Sequence, residues 1–132
     1  FNSVIKKIQT HGQVRNKYGR VYKVPSEFGY KGVNYLIQGT SADIMSERMV
    51  AVAEYLKDKK SNLLLQVHDE IICEVHKDEV DSVASEIRKL MKDNTLDIPL
   101  EVDMEVCDPS WAVKKDFDDI NKFKLEEHID WD

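Results

Sequence analysis

The chain has 132 residues, enough for one domain with a real core and too few to expect two. Its 42% apolar and 33% charged residues describe an ordinary soluble globular protein. No apolar run reaches the roughly 18 residues needed to span a membrane, and no signal-peptide pattern opens the chain. The net charge of −6 conceals an asymmetry: residues 1–37 hold seven basic residues against one acidic, residues 38–107 net −8, and residues 108–132 net −4. A basic first quarter on an acidic body is compatible with a surface that tracks a nucleic-acid backbone, although many solvated surfaces share it. Cys73 and Cys107 lie far apart without CxxC spacing, which fits a reduced cytosolic compartment and argues against structural zinc. The chain opens on Phe1, which suggests a processed product or the tail of a longer polypeptide.

In chain order, "NSVIKKIQ" reads as the end of a helix with Val4, Ile5 and Ile8 on one side. "GQVRNKYGRVYKVP" reads as a β-hairpin, with Asn16 to Gly19 as the turn and Val21, Tyr22 and Val24 in the return arm. "SEFGYKG" reads as loop because it carries two glycines and no periodicity. A helix is expected from Thr40 or Ser41 to about Lys57, with Ser41 as N-cap and Asp43 in the first turn. Ile44, Met45, Met49, Val52, Ala53 and Leu56 would form its buried stripe. Two apolar arms follow, Leu63–Val67 and Ile71–Val75, and then a second amphipathic helix with Asp78 as its N-cap. Val80, Val83, Ala84, Ile87, Leu90 and Met91 are its expected core face. "EVDMEV" alternates from Glu101 to Val106 and reads as a half-solvated strand. From Asp108 onward the chain reads as a charged, surface-draping tail with scattered aromatics and at most one short helix. Strand pairs joined by short turns, with helices to cover one face, make this an α+β chain with an antiparallel sheet.

The chemistry concentrates in "LLLQVHDEIICEV", residues 63–75, where Asp69 and Glu70 follow His68 between oily arms. An isolated His-Asp-Glu in a turn is as a rule simply solvated. Here the apolar arms imply packing on both faces or a central place in a sheet, which would hold the tip rigid. Gln66 adds one more polar side chain beside it. A rigid carboxylate suits Mg²⁺, which takes one or two carboxylates and leaves its other positions to water and substrate phosphates. Two such ions about 4 Å apart would serve phosphoryl transfer, but that needs a second carboxylate, and no convincing one is found in the sequence. In "NYLIQGTSADI", Asn34 and Gln38 are amides four residues apart. They suit the acceptor-rich minor groove of a duplex, or they merely cap and turn the chain.

Together these stretches resemble family-A, polymerase-I-type DNA polymerases. "QVHDE" resembles the family's C motif, "NYLIQGTSADI" its N…QGTAAD segment, "KYGRVYKVP" its GRR hairpin, and "PSWA" its Trp-containing end. The resemblance runs from about residue 1 to 112, the C-terminal palm portion, and leaves residues 113–132 as a tail. It implies an antiparallel palm sheet with helices packed on one face. It also implies that Asp69 is a catalytic Mg²⁺ ligand, with Glu70 in a supporting catalytic role. His68 would lie near the primer 3′ end and Gln66 would brace the same region. Gln38 and Asn34 would contact the minor-groove edge, Arg20 the primer-strand backbone, and Lys31 a phosphate. The implied partners are primer–template DNA, a dNTP and the remainder of the polymerase, in cis or in trans, in the cytoplasm of a bacterium or a phage-infected cell. Two departures stand out: Tyr30 occupies a position where the family usually has Arg, and the GRR motif is reduced to Gly19-Arg20-Val21. The second palm aspartate and the fingers helix do not appear in these residues, so the chain alone is expected to be inactive. The other readings are a non-catalytic DNA-binding or assembly subunit of a split polymerase, and a metal phosphohydrolase built on His68, Asp69, Glu74 and His76.

Overall fold

The computed structural model describes residues 1–92, 99–108 and 110–117. Helix α1 (Asn2–His11) ends on Gly12, whose φ of 65° is the left-handed conformation that lets its N–H close back on the Ile8 carbonyl. The antiparallel hairpin β1 (Gln13–Arg15) and β2 (Val21–Lys23) follows, with Val14 opposite Tyr22. A 3₁₀ turn at Ser26–Phe28 leads into α2 (Gly29–Leu56). Hairpin β3 (Asn62–Val67) and β4 (Glu70–Glu74), α3 (Val80–Met91), and hairpin β5 (Glu105–Cys107) and β6 (Lys114–Asp116) complete the order. The strands pair as three two-stranded antiparallel sheets, which makes the chain α+β.

Helix α2 corrects the expectation of a loop over "SEFGYKG" and of a helix capped by Ser41. It starts at Gly29 and runs 28 residues, about 42 Å, so Ser41 and Asp43 lie in its interior. The glycines of this helix, Gly32 of the expected loop and Gly39 further on, serve close approach instead. A Cβ on Gly32 would collide with the Ile8 side chain, and one on Gly39 would collide with the Tyr22 hydroxyl. With no Cβ there, α1 and the first hairpin settle directly on the helix backbone.

Two apolar clusters result. Ile8, Val14 and Val24 are buried beneath Val4, Tyr22 and Leu36 at the N-terminal half of α2. Val52, Leu56, Val83 and Ile87 join its C-terminal half to α3, with Leu63, Ile71, Cys73, Val75, Leu90 and Met91 packed around them. Of the expected core face of α3, Val83, Ile87, Leu90 and Met91 lie in this cluster while Val80 and Ala84 are half-buried outside it, and Ala53 of the expected α2 stripe is exposed.

Three further expectations need correction. Among the described residues hairpin β3–β4 is covered on one face only: Leu64 and Leu65 are 55% and 46% exposed. Leu64 is an extra residue between the pairs Leu63–Cys73 and Leu65–Ile72, a bulge that puts two consecutive leucines outside the contact with the helices. Asp78 does not cap α3; it lies inside a 3₁₀ turn (Lys77–Glu79) and its N–H donates to His76 Nδ1. The "EVDMEV" alternation holds, with Val102, Met104 and Val106 half-buried, but only its end pairs as a strand. Its partner is Lys114–Asp116, a strand that the charged sequence there does not announce. Phe123, Trp131 and the rest of the tail from residue 118 lie outside the described residues.

Candidate functional site

The acidic tip is a two-residue turn. Val67 pairs with Glu70, leaving His68 and Asp69 as the whole loop. His68 has φ 54° while Asp69 does not have positive φ, the pattern of a type II′ turn, which matches strand twist but favours glycine at its first position. Gln66 holds the strained residue: its Nε2 donates to the His68 carbonyl at 2.8 Å. The Gln66, His68, Asp69 and Glu70 side chains are all exposed. Asp69 makes no hydrogen bond or ion pair among the described residues, whereas Glu70 Oε1 lies 4.0 Å from the Lys114 ammonium. Lys114 also donates to Glu105 Oε2 at 3.0 Å, and this bond, with the nearby Glu70 charge adding to it, raises the Lys114 pKa.

The donor chemistry of this turn fits Mg²⁺, since Asp69 and Glu70 offer oxygen ligands within reach of solvent. Among the described residues no three His, Cys, Asp or Glu side chains converge on a common point. The turn alone would therefore offer only part of a coordination shell, and among the described residues the set His68, Asp69, Glu74 and His76 is not assembled as a metal cluster. His76 has a different use, accepting the Asp78 N–H.

Lys31, Asn34 and Gln38 follow one another at three- and four-residue steps along α2 and so share one exposed face. Lys31 is not in the loop expected over "SEFGYKG", and Asn34 and Gln38 are inside the helix rather than ahead of its start; the helix fixes the spacing of all three. The Lys31 ammonium sits 4.2 Å from the centre of the Phe28 ring, a cation–π contact that leaves it on the surface. Arg20 is held by Asp43 of α2: its Nε is 3.0 and 3.1 Å from the two carboxylate oxygens, and a second guanidinium nitrogen also bonds Oδ1. Asn16, buried, donates to Asp43 Oδ2 at 2.7 Å and accepts the Arg20 N–H at 2.9 Å. These bonds push the Asp43 carboxyl below its ordinary range, chiefly through Arg20 and then through Asn16. Arg20 stays 61% exposed, so the clamp orients it without hiding it.

The structure thus makes two groups: Gln66, His68, Asp69 and Glu70 at one turn, and Lys31, Asn34 and Gln38 on α2 with Arg20 tied to the same helix. No hydrogen bond or ion pair among the described residues joins the two groups. Asp43, Asn16 and Lys114 escaped sequence reasoning. Asp43 looks like an ordinary first-turn acid when the helix is started at Ser41, and its partner Arg20 is 23 residues away.

The chain as a whole is similar to known proteins. The family model described as DNA polymerase family A matches residues 2–113. DNA polymerase I of Chloroflexus aurantiacus is 37% identical over 115 residues, covering 76% of this chain and 12% of that protein. DNA polymerase I of Pseudomonas aeruginosa is 39% identical over 97 residues, covering 71% of this chain and 10% of that protein. The POL domain of Pol1 from M. smegmatis, solved in complex with DNA primer–template and dNTP, superposes with a TM-score of 0.69 at 31% identity. That match covers 76% of this chain and 20% of the other. The chain thus spans about a tenth of the length of these curated relatives. A match across residues 2–113, with these sequence identities and this superposition, means that the chain belongs to DNA polymerase family A.

Proposed function

We propose that this chain is the primer-side palm portion of a DNA-directed DNA polymerase, acting in the bacterial cytoplasm. The whole enzyme joins a primer 3′-hydroxyl to the α-phosphate of a template-selected dNTP and releases pyrophosphate. The observation that carries the reading is the two-residue turn. It presents Asp69 without a hydrogen bond or ion pair among the described residues, on a backbone that is strained at His68 and braced by Gln66. Asp69 is the residue that would hold Mg²⁺, and Glu70 stands beside it in support. The ion, when bound, would supply Lewis-acid stabilisation of the developing oxyanions. His68 orients toward the primer end. Asn34 and Gln38 read base-pair shape through minor-groove acceptors, while Lys31 and Arg20 contact phosphates. The likeness to a polymerase domain solved with primer–template and dNTP supports this assignment.

The turn contributes one of the two carboxylates that a two-metal site needs, so the chain by itself does not extend primers. Incubating the purified 132-residue chain with a primed template, dNTPs and Mg²⁺ should leave the primer unextended. Extension by the chain alone would contradict the division of labour.

A further inference from the structure

We propose that Lys114 is a positioning residue for the acidic turn: it draws Glu70 aside and leaves Asp69 as the carboxylate that meets the metal. The inference rests on the metal reading of the turn given above, and it concerns a residue that lies just beyond the span matched by the family model. Lys114 sits on β6 opposite Cys107, so it shares a face of the β5–β6 hairpin with Glu105, two residues before Cys107. Glu105 anchors the ammonium at 3.0 Å, and from that anchor the ammonium reaches to 4.0 Å from Glu70 Oε1. Adjacent acids at a turn repel each other and compete for the same cation. A lysine fixed by a second carboxylate resolves the competition by partnering one of them. It also places a positive charge next to the metal position, which weakens cation binding there and sharpens the choice of ligand. Lys115 carries the same charge one residue on, but it lies opposite Val106 on the other face of the hairpin.

The test uses the full 132-residue chain, isotopically labelled, and NMR signals of the Asp69 and Glu70 side-chain carboxyls. Without metal, Lys114→Ala should move the Glu70 carboxyl signal, Lys115→Ala should not, and Lys114→Arg should largely restore it. On titration with MgCl₂, the wild-type chain should respond at Asp69 with little response at Glu70. Lys114→Ala should bind Mg²⁺ about two- to tenfold more tightly, with Glu70 now responding too, as expected for loss of one nearby positive charge. Lys115→Ala should stay within about twofold of wild type, since its charge lies farther away. If Lys114→Ala and Lys115→Ala behave alike, the effect is general charge and the proposal is overturned. If the Glu70 signal moves in Lys114→Ala but no variant responds to Mg²⁺ at Asp69, the pairing stands. In that case the metal reading of the turn, and the metal half of this proposal, fall.

Discussion

His68 is the one non-glycine residue with positive φ among the described residues, and it stands beside the carboxylate that the proposed function needs. Such a conformation costs an L-residue about 1–2 kcal/mol, so the side chain is kept there against a local preference for glycine. His68→Gly should therefore stabilise the fold by about 0.5–1 kcal/mol, once the extra backbone freedom of the unfolded glycine is subtracted. Thermal denaturation would register this as a rise of a few degrees; a drop would mean that the turn is not strained at His68. A second residue-scale consequence concerns acid. The Asp43 carboxyl is depressed by Arg20 and Asn16, and the Glu79 carboxyl is depressed by the Ser61 hydroxyl and the Lys60 N–H. A carboxyl depressed in the folded state adds stability that is fully present above its unfolded pKa, near 4, and is lost as pH falls through the folded value. Stability should therefore decline below about pH 4. The variants Asp43→Asn and Glu79→Gln should be less stable at pH 7 and show a shallower decline in acid. Urea melts at pH 7 and pH 3 measure both effects, and an undiminished acid slope in the double variant would show that other groups govern it.

At the scale of elements, α2 does most to position the site, and its N-terminal third is where the sequence misleads. Gly29, Gly32 and Gly39 look the same whether they break a helix or allow something to pack on it. Only the positions of Ile8 and Tyr22, which come from distant sequence, decide between the two. Gly39→Ala distinguishes them. In a loop or on a free helix surface alanine would be neutral or gain up to about 1 kcal/mol. Against Tyr22, overpacking of about 1–3 kcal/mol outweighs that gain and destabilises the protein. A stabilised Gly39→Ala variant would mean that the hairpin does not rest on α2 as described. Helix α3 was legible because Val83, Ile87 and their neighbours repeat at helical spacing in a sequence without glycine or proline. The arms of β3–β4 were legible from their β-favouring residues, but the bulge at Leu64 was not, because a run of three leucines carries no register. Strand β6 was hidden by its composition: Lys114, Lys115 and Asp116 pair through the backbone, and Lys114 adds ion pairs with Glu105 and Glu70, without apolar alternation.

Across the whole molecule, the motifs that resemble the family are local in sequence, and several contacts that hold their side chains are not. Gln66 could be connected to the turn from sequence because it lies two residues from the carbonyl it holds. The Asp43 clamp on Arg20 and the reach of Lys114 to Glu70 join segments 23 and 44 residues apart, and no single sequence displays such pairs. The two groups of site residues occupy separate parts of the chain and meet, on the proposed reading, across bound primer–template DNA. The most direct measurement is primer extension by a chimera in which residues 2–113 replace the matching segment of DNA polymerase I from Bacillus subtilis, a relative 43% identical over 82 residues. The chimera should extend a primed template with Mg²⁺. Asp69→Asn in it should lower the rate by about a thousandfold or more, because loss of a metal ligand removes several kcal/mol of transition-state stabilisation, while duplex affinity changes little. An Asp69→Asn chimera that extends primers at nearly the parental rate would contradict the assignment of this turn as half of the metal site.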